Sequence, residues 1–167
     1  MSRTIVPRVF RSILCPVDFS QNSRAALRYA AMLTRLSNAR LFVLHVNDPL
    51  LAAVAASRPD AAAILGAGDR DLRRFVSTVV GSPASPMATT LLTIAGKPAR
   101  EIVNAAQRHR CDLIVIGYRG AGRASRLLFG STTEGVMRTS TVPVLAVPPA
   151  RRRARLPAVR RTLKRAS

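Results

Sequence analysis

The densest chemistry in this chain lies between residues 117 and 134. There Gly117-Tyr118-Arg119-Gly120-Ala121-Gly122-Arg123 leads, through a stretch carrying Arg126, into Gly130-Ser131-Thr132-Thr133-Glu134. Gly117 and Gly120 let backbone N–H groups approach an anionic oxygen with no side chain intervening. Gly130, Ser131 and Thr132 stand at the start of an expected helix reaching about Thr139. Free N–H groups and the helix dipole favour negative charge at such a place. Ser131 and Thr132 add hydroxyl donors, and Arg119, Arg123 and Arg126 add positive potential. Together these are the parts of a polyphosphate cradle. The segment is no Walker A loop, because the chain's Gly96-Lys97 pair is followed by Pro98 and lacks the earlier glycine. It is no dinucleotide fingerprint either, since Ser125 stands where the third glycine belongs after Gly120 and Gly122.

Other residues that could do chemistry are fewer. Asp18 follows the first apolar run and offers an acid at a strand tip or, with Ser20, a helix cap. Ser131 and Glu134 have the spacing of a capping box, with Ser131 as N-cap. Glu134 then reads as structural. His45 ends an apolar strand and reads as a satisfied structural histidine, while His109, between Arg108 and Arg110, reads as surface charge. Cys15 and Cys111 stand 96 residues apart in apolar runs and read as buried small hydrophobes, giving no disulfide framework or metal spacing. Hydrolysis of a polyphosphate needs a group that orients the attacking water. No residue stands out for that task, so binding with slow or no turnover is expected.

These residues need a scaffold that brings them to one place. Five short apolar runs, 13–17, 41–46, 89–94, 113–116 and 142–147, are mostly continuous, as in strands covered on both faces. An amphipathic helix is expected over 20–37, with Ser20 as N-cap, and a second opens at Lys97-Pro98 with Ile102, Val103 and Ala106 inward. The segment 49–88 reads as one long irregular crossover. Within it 49–56 and 69–80 look helical, Gly66 and Gly68 interrupt, and 81–86 forms a loop. Alternating strands and helices predict an α/β fold: an open five-stranded parallel sheet with helices on both faces. Ligands bind such sheets beyond the strand carboxyl ends.

Composition sets the outer bounds. A chain of 167 residues suits one domain, and 48% hydrophobic content excludes wholesale disorder. The net charge of +19 favours anionic partners, and scarce aromatics (4%, no Trp) argue against a stacking platform for single strands. The start lacks an apolar signal core and no run could span a bilayer, so a soluble, cytoplasmic protein is expected. Three regions are expected: an extension over 1–9, a domain over 10–148 and a basic tail over 149–167. The last 17 residues carry seven Arg and one Lys and no acid.

The spacing Gly117-x2-Gly120-x9-Gly130-Ser131 resembles the nucleotide-binding signature of the universal stress protein family. Ile13-Leu14-Cys15-Pro16-Val17-Asp18 resembles that family's first strand and Leu44-His45-Val46 its second. Gly96-Lys97-Pro98-Ala99-Arg100-Glu101-Ile102 resembles a helix start, Cys111 to Gly117 the fourth strand, and Pro143-Val144-Leu145-Ala146-Val147 the last. The resemblance covers roughly residues 10–148 and implies a Rossmann-like domain akin to the adenine-nucleotide alpha-hydrolases, dimerising through the last strand. For the ATP-binding branch it implies Asp18 near the ribose and the Val46 backbone reading adenine. Gly117, Arg119, Gly120, Gly130, Ser131 and Thr132 would then lie around the phosphates, with or without Mg2+. The expected function is an ATP-binding stress-response regulator. The alternatives are a non-catalytic module binding nucleic acid or another acidic partner through the 151–167 tail, and a true ATPase.

Overall fold

The computed structural model describes residues 9–47, 49, 53, 61–81, 88–118 and 129–148, with the backbone alone for 61–67. Arg119, Gly120, Gly122, Arg123 and Arg126, most of the expected helix over 49–56, residues 82–86 and the basic tail lie outside the described residues.

The elements run β1 (Ser12–Val17), α1 (Gln21–Ser37), β2 (Arg40–Asn47), α2 (Ala61–Val80), β3 (Thr89–Ala95), α3 (Pro98–Arg108), β4 (Leu113–Gly117), α4 (Ser131–Thr139) and β5 (Val144–Val147). The strands form one five-stranded parallel sheet in the order β3-β2-β1-β4-β5. This is the expected α/β architecture. Alternate residues of each central strand feed opposite faces. Ile13, Cys15, Val17, Leu41, Val43, Leu113 and Val115 pack on one side against Ala26, Leu27 and Ala30 of α1 and Leu72 and Phe75 of α2. On the other side Leu14, Phe42, Leu44, Ile114 and Ile116 meet Ile102, Val103 and Ala106 of α3 and Val136 of α4. Every residue of β1 and β4 is buried, which is why these strands read as unbroken apolar runs.

Local chemistry sets the element ends. The Ser20 hydroxyl accepts from the Ser23 amide at 3.2 Å and starts α1, which stops where Asn38 turns left-handed at φ 49°. Pro98 begins α3 at a position whose N–H would be unpaired anyway. The helix α2 runs unbroken through Gly66 and Gly68, so the expected interruption there is absent. A Cβ on Gly68 would only reach ordinary contact distance from Asn47 and Thr93, so packing does not demand the glycine. The last strand begins at Val144, two residues later than expected. Before it, Val142 gives its amide to the Ser140 hydroxyl and Pro143 has no amide proton to give.

Long-range polar bonds close the amino-terminal edge of the sheet. The Asp112 carboxylate accepts from the Arg11 amide at 2.8 Å and the Ser12 amide at 3.2 Å, across about a hundred residues of sequence.

Candidate functional site

From β1 the chain runs outward to β2 and β3, then crosses back beneath the sheet to β4, so strand order reverses between β1 and β4. Open α/β sheets bind ligands at such a reversal. The residue type at position 16 sharpens it. The recorded β1–β4 pairing ends at Leu14↔Ile114, and Pro16, two residues on, has no N–H for a ladder. At the strand tips beyond lies a cleft of about 530 Å3 of empty space, the solvent at its mouth included. Its walls are Pro16, Val17, Leu44, Val46, Pro98, Ile102 and Ile116, with polar groups from Asp18, Ser23, Gly117, Thr132 and Thr133. Mostly apolar walls with few polar groups are the usual build of a small-molecule site.

Of the residues picked from sequence, Asp18, Val46, Gly117 and Thr132 therefore line one cleft. Asp18 is placed by a sharp turn. Phe19 adopts φ +62°, a left-handed conformation that costs an aromatic residue roughly 1 kcal/mol or more. Its ring is held 4.4 Å from the His45 ring and edge-on to Phe75 at 5.4 Å, packing that offsets the strain. The Asp18 carboxylate accepts from the Ser20 amide at 3.1 Å, so it orders the turn while Ser20 itself caps the helix. His45 is structural, as expected. Its Nδ1 lies 3.0 Å from the Val17 carbonyl, which can only accept, so the ring donates from that nitrogen.

Gly117 has a steric task beside any ligand contact. A Cβ there would fall 2.9 Å from the Asn22 carbonyl carbon and 3.1 Å from the Ser23 amide nitrogen, inside the first turn of α1. The strand tip and the helix start touch backbone to backbone. The Gly117 carbonyl also accepts from the buried Thr133 hydroxyl at 2.8 Å, which pins α4 to the tip of β4.

The start of α4 differs in detail from expectation. Gly130, not Ser131, is the N-cap, and no side chain closes the end, so the capping box of Ser131 and Glu134 does not form. The Gly130 amide donates to the Tyr118 carbonyl at 3.2 Å, so it is not a bare amide awaiting an anion. Tyr118 in turn donates to Val147, and its ring lies 4.5 Å from that of Phe129. Tyr118 is thereby held against Phe129 and Gly130 beside α4. Among the described residues the amides of Ser131 and Thr132 have no hydrogen-bond partner, as the first N–H groups of a helix lack one from within it. Ser131 is exposed and Thr132 half-buried at the cleft wall.

Several participants were not read from sequence. Pro16 was signalled by a proline inside a strand, and Thr133 by the third hydroxyl of the Ser-Thr-Thr run. Nothing local marked Phe19 or the apolar walls Ile102 and Ile116. His109 is not plain surface charge: it is half-buried, with its ring stacked 4.7 Å from that of Phe42. Cys15 and Cys111 are buried, as expected. Burial pushes both thiols up, Cys15 far above its ordinary range and Cys111 to about 11, the latter aided by the Asp112 charge and opposed by Arg40. Among the described residues no cluster of His, Cys, Asp and Glu suits a metal ion, and no helix is long and apolar enough to cross a membrane.

An open α/β sheet with an apolar cleft at its switch point, flanked by a helix start that no side chain caps, defines the structural class. The chain belongs to the universal stress protein family, whose model matches residues 10–148. A universal stress protein of Thermus aquaticus is 31% identical over 147 residues, which cover 83% of this chain and 99% of that one. The solved structure of the protein MJ0577, a universal stress protein of Methanocaldococcus jannaschii, superposes with a TM-score of 0.69 at 26% identity, covering 83% of this chain and 95% of that one. In the same fold are a universal stress protein in complex with cAMP (TM-score 0.57, 23% identity, 84% and 98% covered) and one from Archaeoglobus fulgidus in complex with dAMP (TM-score 0.57, 20% identity, 84% and 98% covered).

Proposed function

We propose that this chain is an adenine-nucleotide-binding regulatory protein of the stress response, with ATP as ligand and slow or no turnover. The observation that carries the reading is the convergence of an apolar cleft with the unpartnered Ser131 and Thr132 amides at the start of α4. In this reading the purine lies against the apolar walls at Val46, Leu44 and Ile116, and the phosphates meet the helix start and its dipole. Asp18 is the acid of the cleft wall, and in this reading it accepts from a ribose hydroxyl. Any Mg2+ would draw its remaining oxygens from phosphate and water, as this ion commonly does. Arg119 and Gly120 belong to the same reading as further phosphate contacts, and Gly130 as the cap that holds the helix start in place. The complexes of relatives with cAMP and dAMP are in keeping with it. Within the reading, two copies associate through the free edge of β5 in the cytoplasm.

Equilibrium binding of labelled ATP tests the proposal. Val46→Trp puts an indole into the cleft, and binding should weaken by about tenfold or more, equivalent to roughly 1.4 kcal/mol. A folded Val46→Trp variant, checked by its melting curve, that binds ATP as wild type does would overturn the assignment of this cleft.

A further inference from the structure

We propose that the amino-terminal edge of the sheet, the pole opposite the cleft, docks the phosphate backbone of duplex nucleic acid. Arg40, Arg11 and Arg110 stand there at the entries of three neighbouring strands, β2, β1 and β4, and all three are exposed. Backbone bonds fix the row. The Arg40 amide donates to the Arg11 carbonyl at 2.9 Å, and the Arg11 amide to the Asp112 carboxylate at 2.8 Å, beside Arg110. Strands lie about 4.8 Å apart, so the row spans roughly 10 Å, a length of duplex axis that carries about six charges. Asp112 is the acid at this pole among the described residues, and its carboxylate is engaged by the Arg11 and Ser12 amides. Asp18, Glu101 and Glu134 lie instead at a strand tip or in first helical turns, toward the cleft.

Helix electrostatics accounts for only part of this charge. Arg35, Arg108 and Arg138 occupy last turns of helices, where a cation offsets the negative dipole end. Arg11 and Arg40 stand at strand entries instead, while Arg110 directly follows the last turn of α3. Arg110 is held against its own conformational preference, at φ +50°. Its amide donates to the Gln107 carbonyl and the next, from Cys111, to Ala106, the Schellman arrangement in which glycine is the usual occupant. An arginine kept where glycine fits better points to a use for its side chain. The partner's form follows from what else the pole offers. Among the described residues, the ring of Phe42 is already stacked on His109 under Arg40, and Phe10, next to Arg11, packs against the core, so neither is offered to the bases of a single strand. Val9 and Leu36 are the exposed large apolar residues nearby, a small anchor for a bilayer.

The test is fluorescence anisotropy of a short mixed-sequence duplex with the full chain over a salt series. Arg11→Gln combined with Arg110→Gly should make the slope of log Kobs against log salt shallower by about 1.8, at 0.9 per lost contact. Arg73→Gln with Arg74→Gln removes the same charge from the exposed flank of α2 and should leave the slope unchanged. Arg110→Gly alone should melt no lower than wild type and still lose one contact's share of the slope. Equal losses in the two double variants would overturn the proposal, because affinity would then follow net charge. So would unaltered duplex binding in the pole variant, including the case where that variant loses binding to phosphatidylserine vesicles instead.

Discussion

At the residue scale, the cleft depends on atoms that meet no ligand. Gly117 permits β4 to touch the first turn of α1, where a methyl group would sit 2.9 Å from backbone. Backbone yields less readily than a side chain, so Gly117→Ala should cost about 1–3 kcal/mol, as overpacking does. A denaturant midpoint equal to wild type would contradict the close approach. The buried thiols make a second prediction. Cys111 is pushed from 9.0 to about 11 by burial, so above pH 9 the unfolded chain loses protons that the folded chain keeps. Its contribution to stability is thus complete below about pH 9 and declines as pH rises toward 11. Urea titrations should show stability falling across that window, less steeply in Cys111→Ala. An identical slope in the variant would show that this thiol is not the group responsible.

At the element scale, β5 is the short edge of the sheet, with Leu145 39% exposed. An unpaired edge carrying an apolar side chain invites a second copy of the same chain. In the dimer proposed above, Leu145→Lys should convert the dimer mass measured by light scattering into a monomer mass. An unchanged dimer would place the contact elsewhere. The strands, α1, α3 and α4 were legible because burial on both faces leaves continuous apolar runs and because Ser20 and Pro98 announce helix starts. The unbroken course of α2 was not, since two glycines weigh against a helix locally while tertiary packing of Leu72 and Phe75 holds it. At the site, Asp18, Gly117 and Thr132 could be read because they follow strands or open a helix. The pairing of Gly130 with Tyr118 and the left-handed turn at Phe19 could not. Both are set by partners that only the folded chain brings near, as is the Asp112 clamp on Arg11.

At the scale of the whole molecule, the sheet has two unlike ends. The carboxyl end carries an apolar cleft, Asp18 and the start of α4, while the amino end carries a row of arginines whose neighbouring acid is already engaged. A net charge of +19 makes any polyphosphate adhere somewhere, so affinity alone does not locate the nucleotide. Location is what separates a cleft ligand from a counter-ion. The most direct measurement is an amide NMR titration of the full chain with ATP. Saturable shifts should be largest at Ser131, Thr132, Val46 and Gly117 and small at Arg11, Arg40 and Arg110. Shifts confined to the arginine row, with the amides of Ser131 and Thr132 unmoved at saturation, would contradict nucleotide binding in the cleft.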